Sequence, residues 1–246
     1  MSKADYIVSD IHLGGVPAAT ERAFVAFLRA SYPRMRSLLI NGDLFDFWFE
    51  WGGITVGDHF RALAALADLV DGGTPVTLVG GNHDAWGGAF LERQVGLRLV
   101  DGPLRMRLGD RETLIAHGDG VGHGDIGYRA LRALIRSRPA TLAFRTLHPE
   151  LGLRLARAVS TTSEKQTGDG AGRARHIRDW AIAQLAGDPE LELVVCGHAH
   201  VAEIEEVRPG AHYVNAGDWL SRYSYAVLAD GEPPRLETWR AQAATP

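Results

Sequence analysis

The chain has 246 residues, 46% of which are hydrophobic, so it is long enough to bury a conventional core as one sizeable domain. Its formal net charge of −4 gives no general attraction for nucleic acid, and its single cysteine, Cys196, excludes an internal disulfide framework and suits a reducing compartment. No apolar run approaches the ~20 residues that a membrane-spanning helix needs. Together these features favour a cytoplasmic globular protein with no nucleic-acid partner.

The first half of the chain alternates short apolar runs with segments of helical periodicity. Strands are predicted over residues 6–9, 38–40 and 76–79, and helices over residues 18–31 and 58–70, with Asp58 as the expected N-cap of the second helix. This β-α-β-α-β order is typical of an open α/β sheet.

The second half is richer in closely spaced strands. They are predicted over residues 97–100, 104–108, 113–116, 193–196, 203–207, 213–214, 225–228 and 236–239. A mainly helical stretch runs from about residue 126 to 185 between the sixth and seventh strands. We therefore expect an α/β fold with two packed sheets flanked by helices, forming a single domain over residues 1–246, with residues 126–165 as an inserted helical cap.

Five short polar motifs each follow a predicted strand. Ligands in open α/β sheets bind outside the carboxyl ends of strands, so this placement predicts a functional site. The motifs are Asp10-Ile11-His12, Gly42-Asp43-Leu44-Phe45-Asp46, Gly81-Asn82-His83-Asp84, His117-Gly118-Asp119 and Gly197-His198-Ala199-His200.

The motifs supply carboxylate, amide and imidazole donors but no thiolate, a mixture that suits Mn²⁺, Fe²⁺ or Zn²⁺. Each motif alone is also compatible with a turn, a helix cap or a packed core pair, but packing does not explain all five in this order. Seven donors exceed what one tetrahedral ion needs and suit two ions that share a carboxylate. The donors are Asp10, His12, Asp43, Asn82, His117, His198 and His200.

This ordered set of motifs resembles that of the calcineurin-like metallophosphoesterases. The resemblance implies a four-layer α/β/β/α sandwich with a dinuclear site in which Asp43 bridges the ions and His83, oriented by Asp84, is the acid that protonates the leaving group. Mn²⁺ is the expected ion, with Fe²⁺ or Zn²⁺ as alternatives. By position, one ion takes Asp10, His12, Asp43 and His200, and the other takes Asp43, Asn82, His117 and His198.

The helical insertion is the segment from which we predict the substrate. Residues 128–157 hold seven arginines and one acidic residue, with leucines at helical spacing. A basic amphipathic segment favours contact with an anionic lipid surface or an amphiphilic substrate. The alternative is an ordinary helical pair with an apolar inner face and solvated arginines.

A closer resemblance concerns the Asp-x-Gly-Tyr-Arg run at residues 125–129, the helical insertion and Ser163, which are similar to features of the bacterial UDP-2,3-diacylglucosamine diphosphatases. It implies hydrolysis of UDP-2,3-diacylglucosamine to UMP and 2,3-diacylglucosamine 1-phosphate in lipid A synthesis, at the surface of the inner membrane. The substrate contacts carried over by position are Asn82, Asp125, Ser163 and His198.

Two other functions stay open. The better-known members of that family carry arginine where this chain has His83, and His83 also matches nucleotide phosphodiesterases and phosphatases. A metallophosphoesterase of other specificity is therefore the alternative. A non-catalytic scaffold on the same fold is disfavoured, because such scaffolds lose metal ligands and none of the seven is missing here.

Overall fold

Strands and helices follow one another as the sequence predicts. A computed structural model describes residues 3–51, 54–55, 57–84, 86, 88–121, 134, 137–155 and 170–240. The strands are β1 (Ala4–Val8), β2 (Met35–Asn41), β3 (Val76–Val79), β4 (Arg98–Val100), β5 (Leu104–Leu108), β6 (Arg111–Ile115), β7 (Leu193–Cys196), β8 (Ala202–Arg208), β9 (Ala211–Ala216), β10 (Ser224–Leu228) and β11 (Arg235–Thr238). The helices are α1 (Ala18–Ser31), α2 (Phe60–Asp71), α3 (Arg138–Arg145) and α4 (Gly170–Gly187).

The strands form two mixed sheets. The first has the order β11-β10-β1-β2-β3-β4. Strands β1 to β4 are parallel, β10 pairs antiparallel with β1, and β11 pairs antiparallel with β10. The second has the order β5-β6-β7-β9-β8, with parallel pairing at its centre. The prediction of two sheets is confirmed, and each predicted strand overlaps an observed one.

The two sheets lie between helical layers. Successive residues of a strand point to opposite faces of its sheet, so each strand packs against both neighbouring layers. Ile7 and Leu39 of the first sheet share one buried cluster with Val195 of the second, so the sheets face each other. Tyr6 and Val8 point the other way and belong to the cluster that includes residues of α1 and α2.

The outer face of the second sheet is covered by α4. Ile177 and Leu185 of that helix lie in a third buried cluster with Val194 and Tyr213. The order of layers is therefore α1 and α2, first sheet, second sheet, α4, which confirms the predicted α/β/β/α sandwich. Because both faces of each central strand are covered, these strands are mostly apolar, and β7 is apolar throughout.

The prediction that Asp58 is the N-cap of α2 was wrong. Residues Gly57–His59 form a single 3₁₀ turn, so the N-cap position falls on His59, which makes no side-chain capping bond. A π-helical segment at Leu91–Val95 was also not predicted. It ends at Gly96, which has a left-handed φ of +81°.

The described part of the helical insertion contains α3 and a further helical segment at residues 149–155. Ser137 caps α3, its Oγ accepting a hydrogen bond from the backbone N–H of Ala140 at 3.3 Å. The rest of the predicted cap, including Asp125 and Ser163, lies outside the described residues. Among the described helices, none has the length and apolar character required to cross a bilayer.

Candidate metal centre

The loops that follow β1, β2, β6 and β7 meet at one edge of the sandwich and are joined by buried hydrogen bonds. The Ser9 hydroxyl donates to the Asn41 carbonyl at 2.8 Å, and the Asn41 amide donates to the Ala116 carbonyl at 3.2 Å. The amide of Asn215, on β9, donates to the Gly197 carbonyl at 3.2 Å. The Asn41–Ala116 bond joins the two sheets, and the other two join neighbouring strand ends within one sheet, so that together they hold the polar motifs close to one another.

One group of possible ligands consists of Asp10, His12 and His200, whose donor atoms lie within 4.8 Å of one another. The Nε2 atom of His200 is 3.2 Å from Asp10 Oδ1, and that of His12 is 3.9 Å from the same oxygen. This group matches three of the four ligands expected for one ion.

A second group consists of Asp43, His117 and His198, again within 4.8 Å of one another. Asp43 Oδ2 is 3.2 Å from His117 Nε2 and 3.8 Å from His12 Nε2, so a single oxygen faces histidines of both groups. The structure therefore brings all the predicted aspartate and histidine ligands together, with Asp43 between the two groups.

Each carboxylate has one oxygen bound by the protein and one oxygen facing the histidines. Asp10 Oδ2 accepts the backbone N–H of His198 and shares the single hydrogen of the Ser9 hydroxyl with the Asn41 carbonyl, while Oδ1 faces His12 and His200. Asp43 Oδ1 accepts the backbone N–H of His83 at 3.0 Å, while Oδ2 faces His12 and His117. The fixed oxygen orients the carboxylate, as outer hydrogen bonds do for metal ligands.

The tautomer of His117 is defined by a similar contact. Its Nδ1 lies 2.8 Å from the Asn41 carbonyl, which can only accept, so Nδ1 carries the hydrogen. In the neutral ring the lone pair is therefore on Nε2, which faces Asp43 Oδ2 at 3.2 Å.

The backbone at five of the candidate ligands is left-handed. The φ angles are 54° at Asp10, 50° at His12, 53° at Asp43, 64° at His198 and 55° at His200. Positive φ is uncommon outside glycine, although aspartate and histidine are among the residues that adopt it most often. The chain therefore turns sharply at each strand end, and both members of the Asp-x-His and His-x-His pairs point to the same side.

Three of the candidate ligands are each preceded by a glycine, and each glycine leaves space for another part of the site. A Cβ on Gly42 would stand 2.1 Å from His117 Nδ1, and one on Gly81 would stand 2.1 Å from Asp43 Oδ1. A Cβ on Gly197 would stand 2.1 Å from the Ser9 hydroxyl. Since real Cβ atoms do not come this close to other atoms, these glycines are required by the packing of the site itself.

Four of the expected ligand atoms are buried and make no hydrogen bond with the described residues: Asp10 Oδ1, His12 Nε2, Asn82 Oδ1 and His117 Nε2. A buried polar atom without a partner is costly, and such atoms are rare in native proteins. Divalent cations would satisfy all four, and the carboxylate, amide and imidazole donors suit such ions. The residues present therefore fit a dinuclear metal centre.

The protonation states of the isolated site also favour cation binding, since a ligand must be deprotonated to bind a metal. Burial opposes ionisation of Asp43, but the nearby His117, His83 and His12 together hold its pKa well below the usual value. Burial lowers the pKa of His12, and burial together with His117 lowers the pKa of His198 to about 3. Asp43 is thus ionised, and His12 and His198 are neutral.

His117 and His200 are shifted in the other direction. Burial opposes their protonation, but attraction to Asp43 for His117 and to Asp10 for His200 outweighs it and raises the pKa of each imidazole. Without a cation, protons on these rings partly balance the two carboxylates. A bound metal ion would displace those protons.

His83 is held by Asp46 and not by Asp84, so the predicted orienting contact was wrong. His83 Nδ1 donates to the Asp46 carbonyl at 2.7 Å and is 3.9 Å from Asp46 Oδ1. The buried Asp84 carboxylate instead accepts the backbone N–H groups of Leu44 and Phe45 at 2.9 and 3.0 Å. The short Asp84 side chain reaches the loop after β2, and it therefore acts through that loop.

The charges around His83 and Asp84 fit these contacts. Burial opposes protonation of His83, but Asp43 and the carbonyl and carboxylate of Asp46 outweigh it and raise the pKa of the imidazole. Burial, reinforced by Asp43, raises the pKa of Asp84 to about 7. His83 is therefore a histidine outside the expected ligand set that is suited to hold a proton.

Sequence reasoning assigned no role to Ser9, Asn41 or Asp46. Asp46 could have been found, because it closes the Gly-Asp-x-x-Asp motif three residues after a predicted ligand. Ser9 and Asn41 act through contacts between loops that are distant in sequence, and no local pattern indicates them. Asp125 and Ser163 lie outside the described residues.

The cap contacts the loop that carries Asp46 through a group of rings that we call the aromatic cluster: Phe47, Phe49, Trp51, Trp86 and Phe144. The Phe144 ring of α3 lies 4.8 Å from Phe49, 5.0 Å from Trp86 and 5.9 Å from both Phe47 and Trp51, measured between ring centroids. Helix α3 is therefore packed directly beside the residues that position His83.

An α/β/β/α sandwich with two Asp/His groups and a proton-holding histidine at its strand ends defines the class of metal-dependent phosphoester hydrolases. A model of the family described as calcineurin-like phosphoesterase matches residues 6–202, and the chain belongs to this family. Members of the family bind divalent metal ions, in agreement with the clusters at the strand ends.

Curated relatives match almost the whole chain. A UDP-2,3-diacylglucosamine hydrolase of Ectopseudomonas mendocina is 31% identical over 229 residues, which is 92% of this chain and 94% of the relative. Proteins of the same name from Xanthomonas campestris pv. campestris and Porphyromonas gingivalis are 34% and 27% identical, over 91% and 95% of this chain and 95% and 96% of their own lengths.

Proposed function

We propose that the protein hydrolyses the pyrophosphate of UDP-2,3-diacylglucosamine to UMP and 2,3-diacylglucosamine 1-phosphate, a step of lipid A synthesis. The observation that carries the proposal is the packing of α3, through Phe144, against Phe47 and Phe49 of the loop whose Asp46 carbonyl holds His83. The relatives that share this name align over more than nine-tenths of the chain and support the same substrate.

We assign four ligands to each of two ions, with Asp43 shared and Mn²⁺ as the expected metal. When bound, such ions lower the pKa of a water molecule and neutralise charge on the phosphoryl oxygens. One ion is assigned to Asp10, His12, Asp43 and His200, and the other to Asp43, Asn82, His117 and His198.

His83 is assigned as the acid that protonates the departing oxygen. Its Nδ1–H is occupied by the Asp46 carbonyl, which leaves the Nε2 edge of the ring for the substrate. Its raised pKa favours the protonated form, which a proton donor needs at neutral pH. Asp84 supports this role indirectly, since its carboxylate fixes the backbone of Leu44 and Phe45 beside Asp46.

Substrate contacts are assigned to Asn82 and His198 within the described site, and to Asp125 and Ser163 by position in the sequence. Asn82 precedes His83, and His198 belongs to the second ligand group. A phosphoryl group held at the ions would therefore lie within reach of Asn82, His83 and His198 together.

The outer surface of the cap supports an acylated substrate and peripheral contact with the inner membrane from the cytoplasm. Four leucines there are exposed, Leu134 and Leu142 by 64%, Leu151 by 55% and Leu155 by 49%. Arg145 and Arg154 are exposed nearby in sequence. Exposed apolar groups beside cations suit an anionic bilayer. Leu142→Glu should reduce sedimentation with anionic vesicles. Thr146→Glu, at another exposed position on the cap, is the control, because it adds the same charge without removing an apolar side chain.

The direct test is release of UMP from UDP-2,3-diacylglucosamine by the purified protein with Mn²⁺. Asp43→Ala should abolish release, because it removes the ligand shared by both ions. Hydrolysis of bis-p-nitrophenyl phosphate with no release of UMP from the lipid nucleotide would overturn the assigned substrate. It would favour the alternative of a phosphodiesterase or phosphatase of other specificity, which His83 also matches.

A further inference from the structure

The two loops that frame His83 are joined by a second carboxylate, that of Glu50. Glu50 Oε2 accepts the backbone N–H of Phe90 at 3.1 Å, and Oε1 accepts the indole N–H of Trp48 at 3.3 Å. A Cβ on Gly88 would stand 2.7 Å from Oε2, so the glycine leaves space for this carboxylate. Glu50 thus bridges the loop after β2 to the segment that runs on from His83.

Glu50 and Asp84 join the same two segments. Asp84, next to His83, binds the backbone of Leu44 and Phe45. Glu50, four residues beyond Asp46, binds the backbone of Phe90. On the loop after β2, the Asp46 carbonyl that accepts the hydrogen bond from His83 Nδ1 therefore lies between the two attachments, which together hold this loop against the segment of His83.

Ring packing fixes the Trp48 indole, which is one of the two donors to Glu50. The fully buried Trp48 lies 4.4 Å from the Phe45 ring and 5.9 Å from the Phe90 ring, so its indole N–H has a defined direction. Each oxygen of Glu50 has its own N–H donor. A glutamine there keeps only one acceptor oxygen and must present an amide NH₂ to the other donor.

We propose that Glu50 is a positioning residue for the proton donor His83, holding the loop of Asp46 at the distance that the His83 contact requires. This inference rests on the proposed role of His83 in phosphoester hydrolysis, but it does not depend on which phosphoester is the natural substrate. Glu50 itself touches neither the reacting groups nor the metal ligands.

The test compares Glu50→Gln with Glu92→Gln, a matched change of an exposed glutamate on the helical segment after Phe90. Two aryl methyl phosphates separate proton donation from the rest of catalysis, because p-nitrophenolate leaves without a proton whereas phenolate benefits from one. With Mn²⁺, Glu50→Gln should lower kcat for the phenyl ester at least tenfold, with KM and the rate on the p-nitrophenyl ester within twofold of the parent. Glu92→Gln should change neither rate.

A measurement on the metal-free protein accompanies the kinetics. Amide hydrogen exchange of Phe90 should accelerate at least tenfold in Glu50→Gln, while exchange in β1 stays unchanged. Trp48→Phe, which removes the second donor to Glu50 together with part of a buried ring, should give a smaller loss that is again selective for the phenyl ester. Equal losses on both esters, or no loss, would overturn the proposal. Failure to release UMP from the lipid nucleotide would count against the assigned substrate alone.

Discussion

The backbone N–H of His83 donates to Asp43 Oδ1 at 3.0 Å, so the expected proton donor and the expected bridging ligand are directly bonded. The other oxygen of Asp43 faces His12 and His117. Removing the Asp43 carboxylate should therefore affect metal binding and the segment of His83 together, and no other single residue of the described site has both contacts.

Asp43→Asn should lose both ions and reduce hydrolysis by more than about 10³-fold, because an amide replaces the charge that two cations share. Metal content after gel filtration with Mn²⁺, measured by plasma mass spectrometry, and initial rates on a phosphodiester give the two readouts. Asp71→Asn changes an exposed carboxylate at the end of α2 and should leave both values unchanged. Retention of two equivalents of metal by Asp43→Asn would contradict its bridging role.

His83→Gln should leave metal content unchanged and lower the rate on esters with poor leaving groups by about 10²–10⁴-fold, the usual contribution of a positioned acid. The loss should shrink for an ester whose leaving group needs no proton. A series of aryl methyl phosphates measures this dependence. Equal loss across the series would argue that His83 acts on binding rather than on proton transfer.

Gly81→Ala should destabilise the protein and weaken metal binding, because the new Cβ would stand 2.1 Å from Asp43 Oδ1 and 2.7 Å from its backbone nitrogen. Such a clash with backbone cannot be relieved by a rotamer change, so we expect a loss of about 1–3 kcal/mol. Gly187→Ala is the matched control, since a Cβ there meets nothing within 4 Å. Urea unfolding of both variants and Mn²⁺ titration give the comparison.

Phe144→Ala should loosen the cap, since this ring contacts four members of the aromatic cluster. Truncation of a packed phenylalanine typically costs about 3–5 kcal/mol, and a half-buried ring should cost less. Hydrogen exchange in α3 should accelerate while the sheets are unaffected, and KM for the lipid nucleotide should rise. Ala143→Ser, an exposed change on the same helix, should alter neither.

Divalent metal should raise thermal stability, because it satisfies four buried atoms that make no hydrogen bond with the described residues. Mn²⁺ at about 100 times its dissociation constant contributes about 2.7 kcal/mol, which corresponds to roughly 5–10 °C in Tm for a chain of this size. Differential scanning calorimetry after chelation and after readdition of Mn²⁺ measures the shift. An unchanged Tm would indicate that ions do not bind at these atoms.

The clustering of the aspartate and histidine motifs could be predicted from the sequence because the information is local. Each motif follows an apolar run, and in an α/β sheet the ends of such runs converge at one edge. The orienting partner of His83 could not be predicted in this way. Asp84 is its neighbour in sequence, but the contact comes from Asp46, 37 residues earlier, through the packing of two loops. The π-helical segment and the aromatic cluster likewise depend on tertiary contacts.

The left-handed backbone at five ligand positions carries a thermodynamic consequence. A non-glycine residue held in such a conformation costs about 1–3 kcal/mol, so the metal centre is built at the expense of the folded state. Replacing His12 or His200 by glycine would relieve that strain and remove a ligand at once. A descendant of this chain freed from selection for hydrolysis should therefore gain thermostability in its metal-free form as it loses metal affinity, and these two properties should evolve in opposite directions.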